Sequence, residues 1–109
     1  MSYKIETIPV FDKQVKKLSK KHTSFKDDLT ELALSLNEVP TQGIPLGNDC
    51  YKIRMAITSK GKGKSKGARL ITHIYFSGEI IYMLYVFDKS EIENISPKKI
   101  KELLSYISR

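Results

Sequence analysis

The residues best suited to chemistry are Lys52 and Arg54, set two apart in "KIR", and Arg69, near the start of a second apolar run. Side chains two apart on a strand share one face, about 7 Å from each other. With Tyr51, Ile53, Met55 and Ile57 turned to a core, Lys52 and Arg54 must project from the opposite face. Arg69, one residue into the next strand, joins them. Between the two runs lies "SKGKGKSKG", where Lys60, Lys62, Lys64 and Lys66 alternate with glycine and serine. Four ammonium groups are too costly to bury without partners, so this tract is not core. Gly61, Gly63 and Gly67 allow positive φ and a close approach of backbone to a phosphate. The tract therefore reads as a flexible phosphate clamp at the edge of a basic sheet face. The plainer alternative is that these charges only keep an exposed face soluble.

The elements that must position these residues follow from periodicity. "SYKIETI" alternates polar and apolar and predicts a strand over 2–8, ended by Pro9. Phe11, Val15 and Leu18 recur at helical spacing with Lys13, Lys16, Lys17, Lys20 and Lys21 mostly opposite, predicting a helix over 9–21. Ser24 with Asp27 resembles a cap for a second helix carrying Phe25, Leu29, Leu32, Ala33 and Leu36, so the two helices form a hairpin. The stretch "EVPTQGIPLGND" reads as a loop of a dozen residues. Period-two strands then follow over 51–57, in "ARLITHIYF" and in the very apolar "IIYMLYVF", the last two joined by a turn at Ser77-Gly78-Glu79. Ser90 with Glu93 predicts a capped turn, and Ser96-Pro97 opens a final helix carrying Ile100, Leu103, Leu104 and Ile107. The expected fold is α+β, in the order β-α-α-β-β-β-α. Its twisted sheet is mostly antiparallel, with the helices on one face and the other face free to bind.

At 109 residues, 40% hydrophobic and 28% charged, the chain has the size and composition of one soluble globular domain, spanning 1–109. No run approaches the length needed to cross a bilayer and the amino end does not look like a signal peptide, so the default expectation is cytoplasmic. The formal charge of +7 calls for an anionic partner. Nucleic acid comes first, because lysines along a loop neutralise phosphates without base-specific geometry. An acidic protein is the alternative, and a membrane would more naturally meet a basic amphipathic helix. Cys50 is the single cysteine, and His22 and His73 lie far apart without spaced acidic partners, so neither a disulfide nor a metal site is expected. Tyr75, Tyr82 and Tyr85 offer faces on which bases could stack, although aromatics in apolar strands more often serve the core.

The stretch "CYKIRMAITSKGKGKSKGARLITHIYFSGEIIYMLYVFDKSE" resembles the RelE/ParE superfamily of bacterial type II toxins, particularly its HigB-like and RelE-like branch. The shared frame is the Lys-Ile-Arg strand, the lysine-glycine loop, the Gly-Ala-Arg strand start and the aromatic strand before Asp-Lys-Ser-Glu; with the helices, it covers nearly the whole chain. The resemblance implies an mRNA interferase that cuts mRNA in the ribosomal A site, inhibits translation and is blocked by a cognate antitoxin. It implies metal-free, cofactor-free chemistry, in which a ribose 2′-hydroxyl attacks the adjacent phosphate. Lys52, Arg54 and Arg69 match the family's basic positions, with Lys52 the implied proton-transfer group and the arginines stabilising the phosphate. RelE-like members also carry an arginine just after the last strand and a tyrosine shortly beyond. This chain has Lys89 there, as the implied charge, and no tyrosine before Tyr106. Two other readings stand beside the nuclease: a noncatalytic module that binds antitoxin or nucleic acid, and a ParE-like inhibitor of DNA gyrase.

Overall fold

A computed structural model of the chain describes residues 3–61, 63–92 and 94–107. Lys62 of the predicted clamp and Glu93 of the predicted cap lie outside the described residues. The elements run β1 (Lys4–Thr7), α1 (Pro9–Lys21), α2 (Phe25–Leu36), β2 (Ile44–Gly47), β3 (Cys50–Met55), β4 (Ala68–Tyr75), β5 (Ile80–Asp88) and α3 (Pro97–Leu104). The class is α+β as expected, with one strand more than the predicted order. That strand, β2, arises inside the stretch read as a loop. It pairs antiparallel with β3 through a two-residue turn at Asn48-Asp49, both at positive φ as a type I′ hairpin requires. The sheet order is β1-β5-β4-β3-β2, antiparallel except for the parallel β1/β5 pair.

α1 covers the residues its periodicity predicts. Pro9 occupies the first turn, where its missing N–H is no loss, and Lys20 and Lys21 lie in the last turn, where the helix dipole favours cations. Phe11 and Leu18 are buried. The cap of α2 differs from the predicted Ser24/Asp27 arrangement. Ser24 makes no side-chain cap bond; its hydroxyl instead donates to Asp28, 2.7 Å away. Asp28 also accepts from the backbone N–H and hydroxyl of Thr58, which ties α2 to the strand end beyond β3.

The helices do not all gather on one face, which corrects the expectation of an open sheet. Directly paired residues of antiparallel strands share a face. Lys52, Ile71 and Tyr85 therefore form one cross-strand row, and Arg54, Arg69 and Phe87 the next. Tyr85 lies under Lys99 of α3, so this is the α3 side. The other side carries Met55, Ala68 and Asp88 in one row and Ile53, Leu70 and Val86 in the next. Asp88 is bonded to His22 at the end of α1, so this is the side of the helical hairpin. The physical reason is that β4 and β5 are buried on both faces: Ile71 and Phe87 are as buried as Leu70 and Val86. Ile100 and Leu103 of α3 supply the second cover. What remains uncovered on the α3 side is the strip along β3.

Candidate nucleic-acid interface

β3 positions Lys52 and Arg54 by its alternation: Ile53 and Met55 are buried, Arg54 is exposed and Lys52 half-buried. The Lys52 ammonium donates to Asn94 Oδ1 at 3.1 Å. Arg69 is the direct cross-strand partner of Arg54, so the structure brings all three cations onto one patch of sheet. Their environments differ. Arg69 is only 7% exposed, and its guanidinium donates to the carbonyls of Lys64 at 2.9 Å, Ala68 at 3.1 Å and Ser65 at 3.4 Å. Burial, and after it the charge of Arg54, lowers the Arg69 pKa from its ordinary value. An arginine remains charged at neutral pH nonetheless. Among the described residues no carboxylate lies within ion-pair distance of Lys52, Arg54 or Arg69. The patch is electropositive, and among the described residues nothing acidic answers it.

The lysine loop is anchored rather than loose. It forms two 3₁₀ turns, Thr58–Lys60 and Lys64–Lys66. Asp28 holds the first, with Ser24 Oγ accepting from the Ser59 N–H at 2.8 Å, and the Arg69 guanidinium holds the second. Hydrogen bonds from the Thr58 and Ser24 side chains and the Thr58 backbone outweigh burial and lower the Asp28 pKa. Gly61 and Gly63 do adopt positive φ. Gly67 does not; its role is close packing, because a Cβ there would collide with the Met55 carbonyl oxygen. The loop thus closes back on the strand it left.

Lys60 is drawn into the same scaffold. Its ammonium pairs with Asp88 Oδ1 at 3.0 Å, and the other carboxylate oxygen, Oδ2, accepts from His22 Nε2 at 3.0 Å. The backbone N–H and hydroxyl of Ser90 add two more bonds to Oδ1. Asp88 is 1% exposed, and burial opposes its charge. The bonds from Ser90, Lys60 and His22 together outweigh that cost and hold the carboxyl far below the usual carboxylate range. Lys64 and Lys66 are exposed, beside the Arg54–Arg69 end of the patch. Lys89 is half-buried, and its backbone N–H donates to the Gly67 carbonyl at 3.0 Å, which places it at the foot of the same loop. Asp88 carries no functional signal in the sequence. An aspartate ending an apolar strand looks like a boundary, and its partners lie 66 and 28 residues away.

Of the three tyrosines, Tyr82 is buried, with its ring centroid 6.1 Å from that of His73, and Tyr75 is half-buried over Gly78. Only Tyr85 stands near the basic patch. Cys50 lies at the far end of the sheet, where burial and then the Asp49 charge push its thiol up to about 11.

This architecture matches solved structures along almost its full length. A double Arg-to-Ala variant of E. coli toxin RelE in the free state superposes with a TM-score of 0.59 at 16% identity, over 97% of this chain and 94% of that one. The chain has the RelE toxin fold. The same RelE variant in complex with an antitoxin RelBc peptide gives a TM-score of 0.58 at 16% identity, over 100% of this chain and 98% of that one. The isolated E. coli RelE toxin gives 0.54 at 17% identity, over 97% and 100%. No family model matches the sequence. At these identities the RelE likeness is one of fold.

Proposed function

We infer that this chain is the toxin of a type II toxin–antitoxin pair and acts as a metal-independent endoribonuclease on mRNA in the ribosomal A site. The observation that carries the reading is the gathering of Lys52, Arg54 and Arg69 on one face of a RelE-like sheet, with no described carboxylate paired to them. Cleavage by a ribose 2′-hydroxyl forms a 2′,3′-cyclic phosphate as the P–O5′ bond breaks, and needs a group to take the 2′ proton, cations around the phosphorane and a proton for the leaving 5′-oxygen. Lys52, held at the rim by Asn94, is placed for proton transfer. Arg54 is exposed and presents its guanidinium fork to phosphoryl oxygens. Arg69 adds charge from behind while fixing the loop, and three of its five N–H donors are committed to carbonyls. Lys64, Lys66 and Lys89 extend the positive field along the RNA backbone; Lys60 acts there only through its pairing with Asp88. The neighbour bound to an antitoxin peptide supports a cognate antitoxin as the second partner.

The test is a primer-extension map of a reporter mRNA in a reconstituted translation reaction, with and without ribosomes. New ends at A-site codons that require ribosomes are the expected result. Absence of cleavage by folded protein would remove the nuclease reading. One observation favours the second reading, a binding module without catalysis: no tyrosine lies between the end of β5 at Asp88 and Tyr106. Intact mRNA together with tight, salt-sensitive binding to RNA or to the antitoxin would establish that alternative.

A further inference from the structure

Beside the Lys52–Arg54 strip the sheet carries two aromatic rings that phosphate binding does not use. Tyr85, half-buried, and Phe87, buried beneath it with its centroid 6.1 Å away, line the bottom of a cleft of about 270 Å³ walled by Ile92, Asn94 and Ile95 and rimmed by Lys99. Each ring shares a cross-strand row with a cation, Tyr85 with Lys52 and Phe87 with Arg54. Two strand spacings, roughly 10 Å, separate the members of a row at the backbone. The arrangement depends on a bulge. Thr72 pairs with Met83 and Ile71 with Tyr85, which leaves Leu84 as an extra residue. Simple alternation would have put Tyr85 with Met83, on the face of the helical hairpin; the bulge turns it to the side of Lys52.

We propose that this cleft is a subsite for one nucleobase of single-stranded RNA, whose phosphate lies on Lys52 and Arg54. The inference rests on the RNA reading above. The half-buried Tyr85 ring, beside cations that no described carboxylate pairs, fits a ligand that joins a flat apolar group to an anion, and a nucleotide is such a ligand. The volume falls just below the roughly 300–1,000 Å³ of drug-sized pockets, so it admits a single base and not a stack. Asn94 has committed its Oδ1 to Lys52 Nζ at 3.1 Å and to the Ile95 N–H at 2.9 Å. Among the described residues its NH₂ group makes no hydrogen bond, so its two donors can meet acceptors on the base edge. The Lys99 ammonium sits 5.4 Å from the Tyr85 centroid, so the ring face already serves as a platform. Its other contact is a partly exposed pair with Glu102, and an incoming base displaces it at little cost.

The probes are the four nucleoside 5′-monophosphates and ribose 5-phosphate, titrated into the whole protein and followed by NMR. At least one nucleotide is expected to bind about tenfold more tightly than ribose 5-phosphate, from stacking on the aromatic floor. Tyr85→Leu is expected to erase that difference while leaving ribose phosphate binding intact, and Tyr85→Phe to retain it. Equal binding of nucleotides and ribose phosphate by the unmodified protein would overturn the proposal without recourse to any variant. So would a difference that survives in Tyr85→Leu. A protein that discriminates in this way yet cuts no mRNA would keep the subsite and lose the nuclease reading, which separates the two failures.

Discussion

Two clusters of positive charge lie close together at one end of the sheet, and they differ in whether the charge is answered. At the root of the lysine loop, Lys60 and His22 converge on Asp88, a carboxylate with 1% exposure whose remaining bonds come from Ser90. On the strip along β3, Lys52 and Arg54 stand beside Arg69 with only amide oxygens as partners for the two whose bonds are seen. A neutralised, fully bonded cluster holds structure together. Like charges facing each other across a strand pair instead cost stability, unless an anion is there to offset them. The lysines that look most alike in the sequence thus divide between scaffold and binding surface, and the carboxylate decides which is which.

The largest expected effect breaks this comparison at the strip. Lys52→Ala should reduce mRNA cleavage by roughly a hundredfold or more, since removing one preorganised stabilising group costs on that order. Its melting temperature should move little, because no buried pair is lost; calorimetry beside the cleavage assay checks both. The next effect breaks it at the root. Asp88→Asn strands Lys60 and His22, and breaking a buried charge pair costs about 3 kcal/mol or more. For a chain this size that is on the order of 10 °C in melting temperature.

The root should also register acid. The folded pKa of Asp88 lies below its unfolded value of about 3.9, so its contribution is complete above roughly pH 5 and fades as pH falls through the folded value. Urea titrations between pH 3 and 6 should show the parent losing stability toward the acid end. Asp88→Asn should show a flatter profile, and two parallel profiles would contradict the assignment.

Smaller effects sharpen the picture. Arg69→Lys keeps the charge but loses the fork that holds the Lys64 and Ser65 carbonyls, so tryptic cleavage at Lys64 and Lys66 should accelerate by about tenfold as the loop opens. Cys50, with its pKa raised to about 11 from 9.0, should alkylate at pH 8 on the order of a hundredfold more slowly in the folded protein than in urea. Fast native alkylation would show that its end of the sheet opens.

Much of this was legible beforehand, and the reasons differ by element. α1 was read to its ends because Pro9, the Phe11–Val15–Leu18 stripe and the basic last turn all agree. The face of Lys52 and Arg54 is legible because the second half of β3 alternates, with Ile53 and Met55 buried and Arg54 exposed. β2 was not, since four residues containing Pro45 and Gly47 at a sheet edge carry no pattern. The second cover over β4 and β5 is hinted at by the unbroken apolar run of β5 from Ile80 to Phe87, a signal of burial on both faces. The bulge at Leu84 leaves no local trace, because only the register against β4 defines it. Within the site, residue type and face were readable, but accessibility was not. Arg69 and Lys60 are engaged by groups that chain distance hides: loop carbonyls folded back for one, and Asp88 for the other.

The most direct test of the division of labour measures cleavage rate and melting temperature together for Arg54→Ala and Asp88→Asn, with cleavage assayed well below either melting point. Arg54→Ala should lose nearly all cleavage at an almost unchanged melting temperature, while Asp88→Asn melts much earlier yet cuts within about tenfold of the parent. An Arg54→Ala protein that cuts like the parent, or two variants whose activity and stability fall in parallel, would contradict it.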